Sequence, residues 1–477
     1  MKKEITGILL LTLVIAPGCK KFLDVRPGTI VEQSQLLNSE NGFQDAMYGV
    51  YTVMSNTSLY GDQLTMSFLD VLGQDYDCQT NPSHIFYQTA VYNYTDGGVK
   101  SRIQNIWDSM YNAIGNVNNV LGNIDGKKGV FQPGNYELVK GEALGLRAFM
   151  HFDLLRMFGG AYVNHPTQAA IPYVTAVSGG VTPLSNVTEV LDKVIKDLTD
   201  ALPLLAHYKT IDPGYTQADV LPNDWLNSRQ SHFNYWAAEA TLARAYLYKG
   251  DKQHALEHAL QVINSGMFEF ETSDRLTNLN DRTFIPEQVF ALSKFNLRSQ
   301  VTTYFQVPAG TINTGENLQL TNTYGNGGVV DQIYEITQGG VTDIRYAALW
   351  QLSGNVYFTS KYWQDGVSSQ FANLVPLIRL PEMYYIAAEC SDPATATGYL
   401  NIVREQRGLS DLADGLDATA IQNEILKEYQ KEFYAEGQMF YYYKRLNISQ
   451  IRFSNIPGSD NIYILPLPDN ELQYRGK

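Results

Sequence analysis

The stretch from Phe233 to Gly266 limits the choice of fold more than any other part of the chain. It begins Phe-Asn-Tyr-Trp-Ala-Ala-Glu-Ala-Thr-Leu-Ala-Arg-Ala-Tyr-Leu-Tyr-Lys and reaches Gly250-Asp251, and a second helical run then follows from Lys252 to Asn264. Ala237, Ala240, Ala243 and Ala245 are small enough to let two helices approach closely, and Gly250-Asp251 supplies the turn between them. The segment therefore predicts an antiparallel helical hairpin.

Its Ala-Tyr-Leu-Tyr-Lys-Gly-Asp junction matches a tetratricopeptide-type repeat, although a generic helical hairpin fits this segment equally well. Other helical stripes support an all-helical body. Phe43, Met47, Val50 and Met54 mark a helix over 42–54, and Ile106, Met110, Ile114, Val117 and Leu121 mark one over 103–124. Further helices are predicted over 135–158, over 187–202 with Pro203 beyond its end, and over 381–389, 395–406 and 419–443. Residues 20–40 and 462–472 read as extended. Gly325, Gly327 and Gly328 read as loop glycines that open no helix.

The N-terminus reads as an export signal. Lys2 and Lys3 precede an apolar run from Ile5 to Ala16, too short to span a bilayer as a helix, and Ala16-Pro17-Gly18-Cys19 follows. A cysteine at such a cut resembles the acylation site of a bacterial lipoprotein, although Ala16 and Pro17 replace the usual Leu and Ala or Ser; the alternative is an ordinary secretory signal with an incidental cysteine. Residues 1–18 are thus expected to be a signal peptide and 19–40 a tether anchored through Cys19. Residues 41–275 would form a helical region and 276–477 a second region carrying ligand loops. The formal charge of −14 disfavours nucleic acid as a partner. Cys78 and Cys390, far apart in sequence, are expected to be buried or half-buried free thiols.

Catalytic fingerprints are missing. The chain has no His-Glu-x-x-His, Gly-x-Ser-x-Gly, phosphate-binding loop or Rossmann turn. Asp75, Asp77 and Gln79 imitate the start of a calcium loop, but Thr80 replaces its glycine and Phe86 its bidentate acid. His151 and Asp153, two apart on a helix, face different ways. Glu428, Glu432 and Glu436 share a helical face and are expected to pair with arginines rather than hold a metal. Neither cofactor nor metal is expected.

What remains is aromatic. The chain has 32 Tyr against 20 Phe, many in polar, glycine-containing loops, the composition of a recognition surface. Sugar rings stack on such side chains while their hydroxyls bond amides and charges. Candidate ligand contacts are Tyr76, Tyr92, Asn93 and Tyr94 in one loop and Arg298, Tyr304 and Tyr324 in another. Trp225, Trp350 and Trp363 are further candidates.

Several stretches carry a family resemblance. They are Cys19-Lys-Lys-Phe-Leu-Asp, Ile106-Trp-Asp-Ser-Met-Tyr-Asn-Ala-Ile-Gly-Asn-Val-Asn and Leu146-Arg-Ala-Phe-Met-His-Phe-Asp-Leu-Leu-Arg-Met-Phe-Gly-Gly. The repeat pair, Pro376-Leu-Ile-Arg-Leu-Pro-Glu-Met-Tyr-Tyr-Ile-Ala-Ala-Glu, Glu428-Tyr-Gln-Lys-Glu-Phe-Tyr-Ala-Glu-Gly and Leu465-Pro-Leu-Pro-Asp-Asn-Glu-Leu follow in order. Together they resemble the SusD/RagB family of outer-membrane lipoproteins. The resemblance implies a mostly α fold on tetratricopeptide-like repeats, with irregular loops and a few short strands. It also implies a non-enzyme that binds an oligosaccharide or polysaccharide (or a peptide, in the RagB branch) and delivers it to a SusC-like TonB-dependent transporter. On that resemblance Arg147, Arg156, Arg379, Glu382, Glu389, Glu432, Glu436 and Arg445 are scaffold. Two departures stand out: Tyr429 and Tyr442 replace Arg and Asp in the last helix, and Lys20-Lys21 replace the acids of surface-exported members. The residues alone leave open a glycoside hydrolase using Asp75 and Asp77, or a periplasmic protein-binding scaffold.

Overall fold

Helices stack in chain order, each packing on the next. The computed structural model describes residues 36–209, 224–306, 315–321, 328–368 and 371–475; Cys19 and Tyr324 lie outside them. Ser39 caps α1 (Glu40–Met54), its hydroxyl accepting from Gly42 N. Asp96 caps α2 (Gly97–Ile124), accepting from the amides of Gly98 and Val99. Next come α3 (Asn135–Phe158) and α4 (Val187–Leu205), which starts with a capping box between Asn186 and Glu189. Pro203 lies inside α4 rather than after it. Its ring faces solvent and its fixed φ is already helical, so the helix runs on.

The predicted hairpin is present. Asn234 caps α5 (Tyr235–Lys249), Gly250 takes φ +79°, and Asp251 caps α6 (Lys252–Ile263). The left-handed turn at Gly250 is why glycine stands there. α7 (Leu380–Glu389) packs on α6, α8 (Pro393–Gln406) and α9 (Ala418–Glu432). Consecutive helices from α1 to α6 also pack on each other, giving a tetratricopeptide-like scaffold. An apolar cluster running from Leu37 to Leu465 unites both halves of the chain.

Short strands decorate this scaffold. β1 (Ala169–Ile171) pairs with β2 (Ser185–Asn186). β3 (Gln288–Ser293) is antiparallel to β7 (Leu374–Arg379), with shifts of register near Phe290. β4 (Leu320–Thr321), β6 (Val356–Thr359) and β5 (Trp350–Ser353) form a small sheet in that spatial order. Gly328, expected in a loop, instead caps the short helix Val329–Ile333 shortly after β4.

The predicted helix over 419–443 is broken in two. α9 stops at Glu432, and α10 (Met439–Arg445) begins after a turn in which Ala435 and Gly437 both have positive φ. Gly437 N donates to Asp70 Oδ1 at 2.7 Å, and a Cβ at Gly437 would lie 2.1 Å from Leu64 O. Gly437→Ala is therefore expected to lower stability by about 2 kcal/mol or more. A urea midpoint unchanged from wild type would refute this. The C-terminal tail also departs from its extended expectation, because Asp460–Tyr463 is a helical turn and α11 (Asp469–Arg475) is a helix.

The carboxylate stripe of α9 sits in an ionic network. Arg379 bonds Glu287 at 2.9 Å, Glu432 at 2.5 Å and Glu436 at 2.6 Å. Arg345 bonds Glu428 at 2.9 Å and Glu432 at 2.7 Å, and Arg407 reaches Glu432 at 3.0 Å. Glu436 takes Lys361 as a further partner. The other scaffold residues pair likewise: Arg147 with Asp197, Arg156 with Asp153, Glu382 with Arg244 and Glu389 with Arg445. Tyr429 and Tyr442 pack ring to ring, centroids 4.7 Å apart, between α9 and α10.

Candidate functional site

The two loops flagged by their aromatic content meet in space. Asp77 N donates to Gln319 O at 3.0 Å, and Ile85 N to Gly315 O at 2.9 Å. His84 Nε2 lies 3.0 Å from Asn317 O, while its Nδ1 accepts from Phe86 N at 3.1 Å. Those partners make Nε2 the protonated nitrogen. Burial holds the His84 pKa below its ordinary value, so the ring is neutral at pH 7. The Thr321 amide and hydroxyl both donate to the Asp77 carboxylate. Burial nevertheless raises the Asp77 pKa, against the effect of Thr321.

Between the loops lies a cleft of about 370 Å³, lined by Asp77, Cys78, Thr80, Asn81, His84, Asn317 and Gln319. It is mostly polar. The side-chain carbonyls of Asn317 and Gln319 are buried and have no hydrogen-bond partner among the described residues. A cleft edged by the amide residues Asn81, Asn317 and Gln319 suits a ligand that brings hydroxyl groups. Sequence reasoning passed over Asn81, His84, Asn317 and Gln319. The signal for two of them was the alternation Asn317-Leu318-Gln319-Leu320, with both leucines buried.

The candidate aromatics themselves turn inward. Tyr76, Tyr92, Tyr94 and Tyr304 are all buried, which corrects the reading of these tyrosines as surface. Each hydroxyl finds an interior acceptor: Met66 O at 2.7 Å for Tyr76, Leu72 O at 3.0 Å for Tyr92, Ile462 O at 2.6 Å for Tyr94 and Asp62 Oδ2 at 3.1 Å for Tyr304. A phenol with its hydroxyl satisfied is good core material. Asn93 is half-buried and donates to Gln88 Oε1 at 2.9 Å. Arg298 is exposed and pairs with Asp365. Trp225 and Trp350 are buried, and Trp363 donates to Phe305 O at 3.1 Å.

Other sequence candidates resolve as structure. His151 Nδ1 contacts Arg147 O at 2.8 Å and its Nε2 accepts from Val174 N at 3.0 Å, while Asp153 accepts from Tyr60 at 2.8 Å. Cys78 is buried and Cys390 half-buried, both as free thiols. Among the described residues, no group of three or more His, Cys, Asp or Glu is placed to hold a metal ion. None of the described helices is long and apolar enough to cross a membrane.

Comparison with known proteins settles the kinship. A family profile described as "Starch-binding associating with outer membrane" matches residues 21–218, and the profile of the SusD family matches residues 331–476. The chain belongs to the SusD/RagB family. Among its SusD relatives, SusD-like protein P2 of Formosa agariphila is 26% identical over 99% of this chain and 97% of its own. A SusD superfamily protein from Bacteroides thetaiotaomicron superposes with TM-score 0.68 at 23% identity, covering 91% of this chain and 98% of the other. A SusD-like carbohydrate binding protein from Bacteroides vulgatus gives TM-score 0.68 at 18% identity, over 92% and 97% of the two chains. The SusD fold thus extends through both halves of the chain.

Proposed function

We propose that this protein is a non-catalytic, cell-surface glycan-binding lipoprotein, held in the outer membrane through Cys19, that passes oligosaccharide to a SusC-like TonB-dependent transporter. The observation that carries the reading is the polar cleft between residues 77–84 and 317–319, edged by the amide residues Asn81, Asn317 and Gln319. A neutral, hydroxyl-rich ligand suits such a polar lining without an ionic partner. Thr80 and Asn81 are the cleft residues best placed to be tested, since Thr80 is exposed and Asn81 half-buried. Tyr76, Tyr92, Tyr94 and Tyr304 enter the proposal as the packed support beneath the loops. Asn93, Arg298 and Tyr324 remain in it as ligand contacts.

The non-catalytic part is supported by the carboxylates themselves. A glycosidase needs two carboxyl groups flanking the bond to be cut. Here Asp77 is engaged by Thr321 and Asp75 is buried.

Calorimetry and affinity electrophoresis against a panel of polysaccharides test the reading. The double variant Thr80→Ala/Asn81→Ala is expected to bind at least tenfold more weakly, about 1.4 kcal/mol, with an unchanged melting temperature. Unaltered affinity would remove the cleft from the proposal. Failure of the wild type to bind any glycan, together with binding of peptides, would favour the RagB-like alternative.

A further inference from the structure

A second groove lies along α2, away from the loop cleft. Lys100, Gln104, Asp108 and Asn112 recur every fourth residue and so form one polar row, about 18 Å long. Facing it are residues 466–475, including α11. Two hollows open along this seam. One, of about 500 Å³, is bounded by Trp107, Asp108, Tyr111 and Asn112, by the 172–182 segment, and by Glu471, Tyr474 and Arg475. The other, of about 280 Å³, lies between Lys100 and Gln104 on α2 and Pro466 to Asn470 opposite.

The walls are held in place by contacts of their own. Tyr111 donates its hydroxyl to Pro172 O at 2.8 Å, tying the 172–182 segment to the helix. Arg475 donates to Thr182 O at 2.9 Å and pairs with Glu471 at 2.5 Å. Lys100 and Asp469 close the far end at 2.9 Å. A groove braced in this way needs little reordering to receive a ligand.

Its chemistry selects among ligands. Trp107 and Tyr111 lie ring to ring, centroids 4.8 Å apart, at the base, and Tyr474 stands 66% exposed on the rim. Beside the rings stand an amide at Asn112 and carboxylates at Asp108 and Glu471, and along the whole groove Lys100 and Arg475 offset two of three acids, Asp469 being the third. A lipid tail would strip water from those carboxylates. A polyanion would meet Asp108, Asp469 and Glu471, and a polycation Lys100 and Arg475. A neutral chain with apolar ring faces and hydroxyl edges meets neither obstacle. We propose that this groove is a second binding site, for a linear neutral oligosaccharide. The choice of ligand class rests on the glycan-binding reading above; the location does not.

The test labels the protein with 5-fluorotryptophan and assigns the Trp107 fluorine resonance by its loss in Trp107→Phe. Maltohexaose, cellohexaose, xylohexaose, laminarihexaose and mannohexaose are titrated with parallel calorimetry. One of them is expected to shift the Trp107 resonance and to bind at two sites per chain. Tyr474→Ala/Asn112→Ala is expected to weaken the Trp107 site at least tenfold and leave one site, and Thr80→Ala/Asn81→Ala to leave the Trp107 shift in place. A glycan that binds at one site while Trp107 stays unmoved overturns the second site and leaves the loop cleft standing. No heat from any glycan overturns both.

Discussion

Arg379→Ala is expected to abolish the folded state at neutral pH or to weaken it by at least about 3–5 kcal/mol. Arg379 is fully buried and its guanidinium is shared by Glu287, Glu432 and Glu436. Removing it takes one cation from Glu287, Glu432 and Glu436, which keep Arg407, Arg345 and Lys361, in an interior where a missing counter-charge is far costlier than a missing methylene. Those remaining cations are already engaged, so the buried cluster is left with an uncompensated negative charge. Urea unfolding followed by circular dichroism provides the measurement. Lys128→Ala, which breaks the exposed pair with Glu137, serves as control and should match wild type. A folded Arg379→Ala within 1 kcal/mol of wild type would refute the network's importance.

The same network sets an acid limit. Burial pushes the Glu428 carboxyl up, but Lys431, Arg345 and Arg404 reverse that and hold it at about 2. Glu432 is likewise held well below the usual carboxylate range, its burial outweighed by Arg407, Arg379 and Arg345. A carboxylate whose pKa is depressed by folding stabilises the native state above its unfolded pKa, and that contribution is lost as pH falls through the folded value. Stability is therefore expected to decline from about pH 4.5 towards pH 2, with Glu428 alone accounting for about 3 kcal/mol.

Asp62 acts in the opposite sense. Burial raises its pKa to about 6, against the hydrogen bonds from Ser67 and Tyr304 and the charges of Arg102 and Lys294. Its protonated form is favoured by folding, so stability falls as pH rises from about 4 to 6. Urea midpoints at pH 2.5, 4, 5 and 8 should be highest at 4 to 5 and lower at 2.5 and 8. Asp62→Asn should gain stability at pH 8 and little at pH 4. A flat profile between pH 5 and 2 would contradict the role given to Glu428.

Much of this was legible in the residues. Helix α3 has the bounds its apolar spacing predicts, and the Gly250-Asp251 turn joins two helices as its chemistry requires. The carboxylate stripe at 428–432 found its arginines because buried acids on a helix need cations. The break between α9 and α10 was not legible. Local preference favours a continuous helix there, and only the distant Asp70 and Leu64 backbone make a left-handed Gly437 the better choice. The loop tyrosines were misjudged for a related reason. Whether a phenol faces water or core depends on an acceptor such as Met66 O or Ile462 O, and composition does not reveal where that acceptor will be.

The turn at Gly437 has a consequence for where the chain can be cut short. Gly437 bonds Asp70, Lys444 Nζ and Leu465 N both bond Met157 O, and Tyr94 bonds Ile462 O. The early helices are therefore completed by partners some three hundred residues later in synthesis. A chain cut short by its last few dozen residues lacks these partners, so it is expected to be less stable than the full chain.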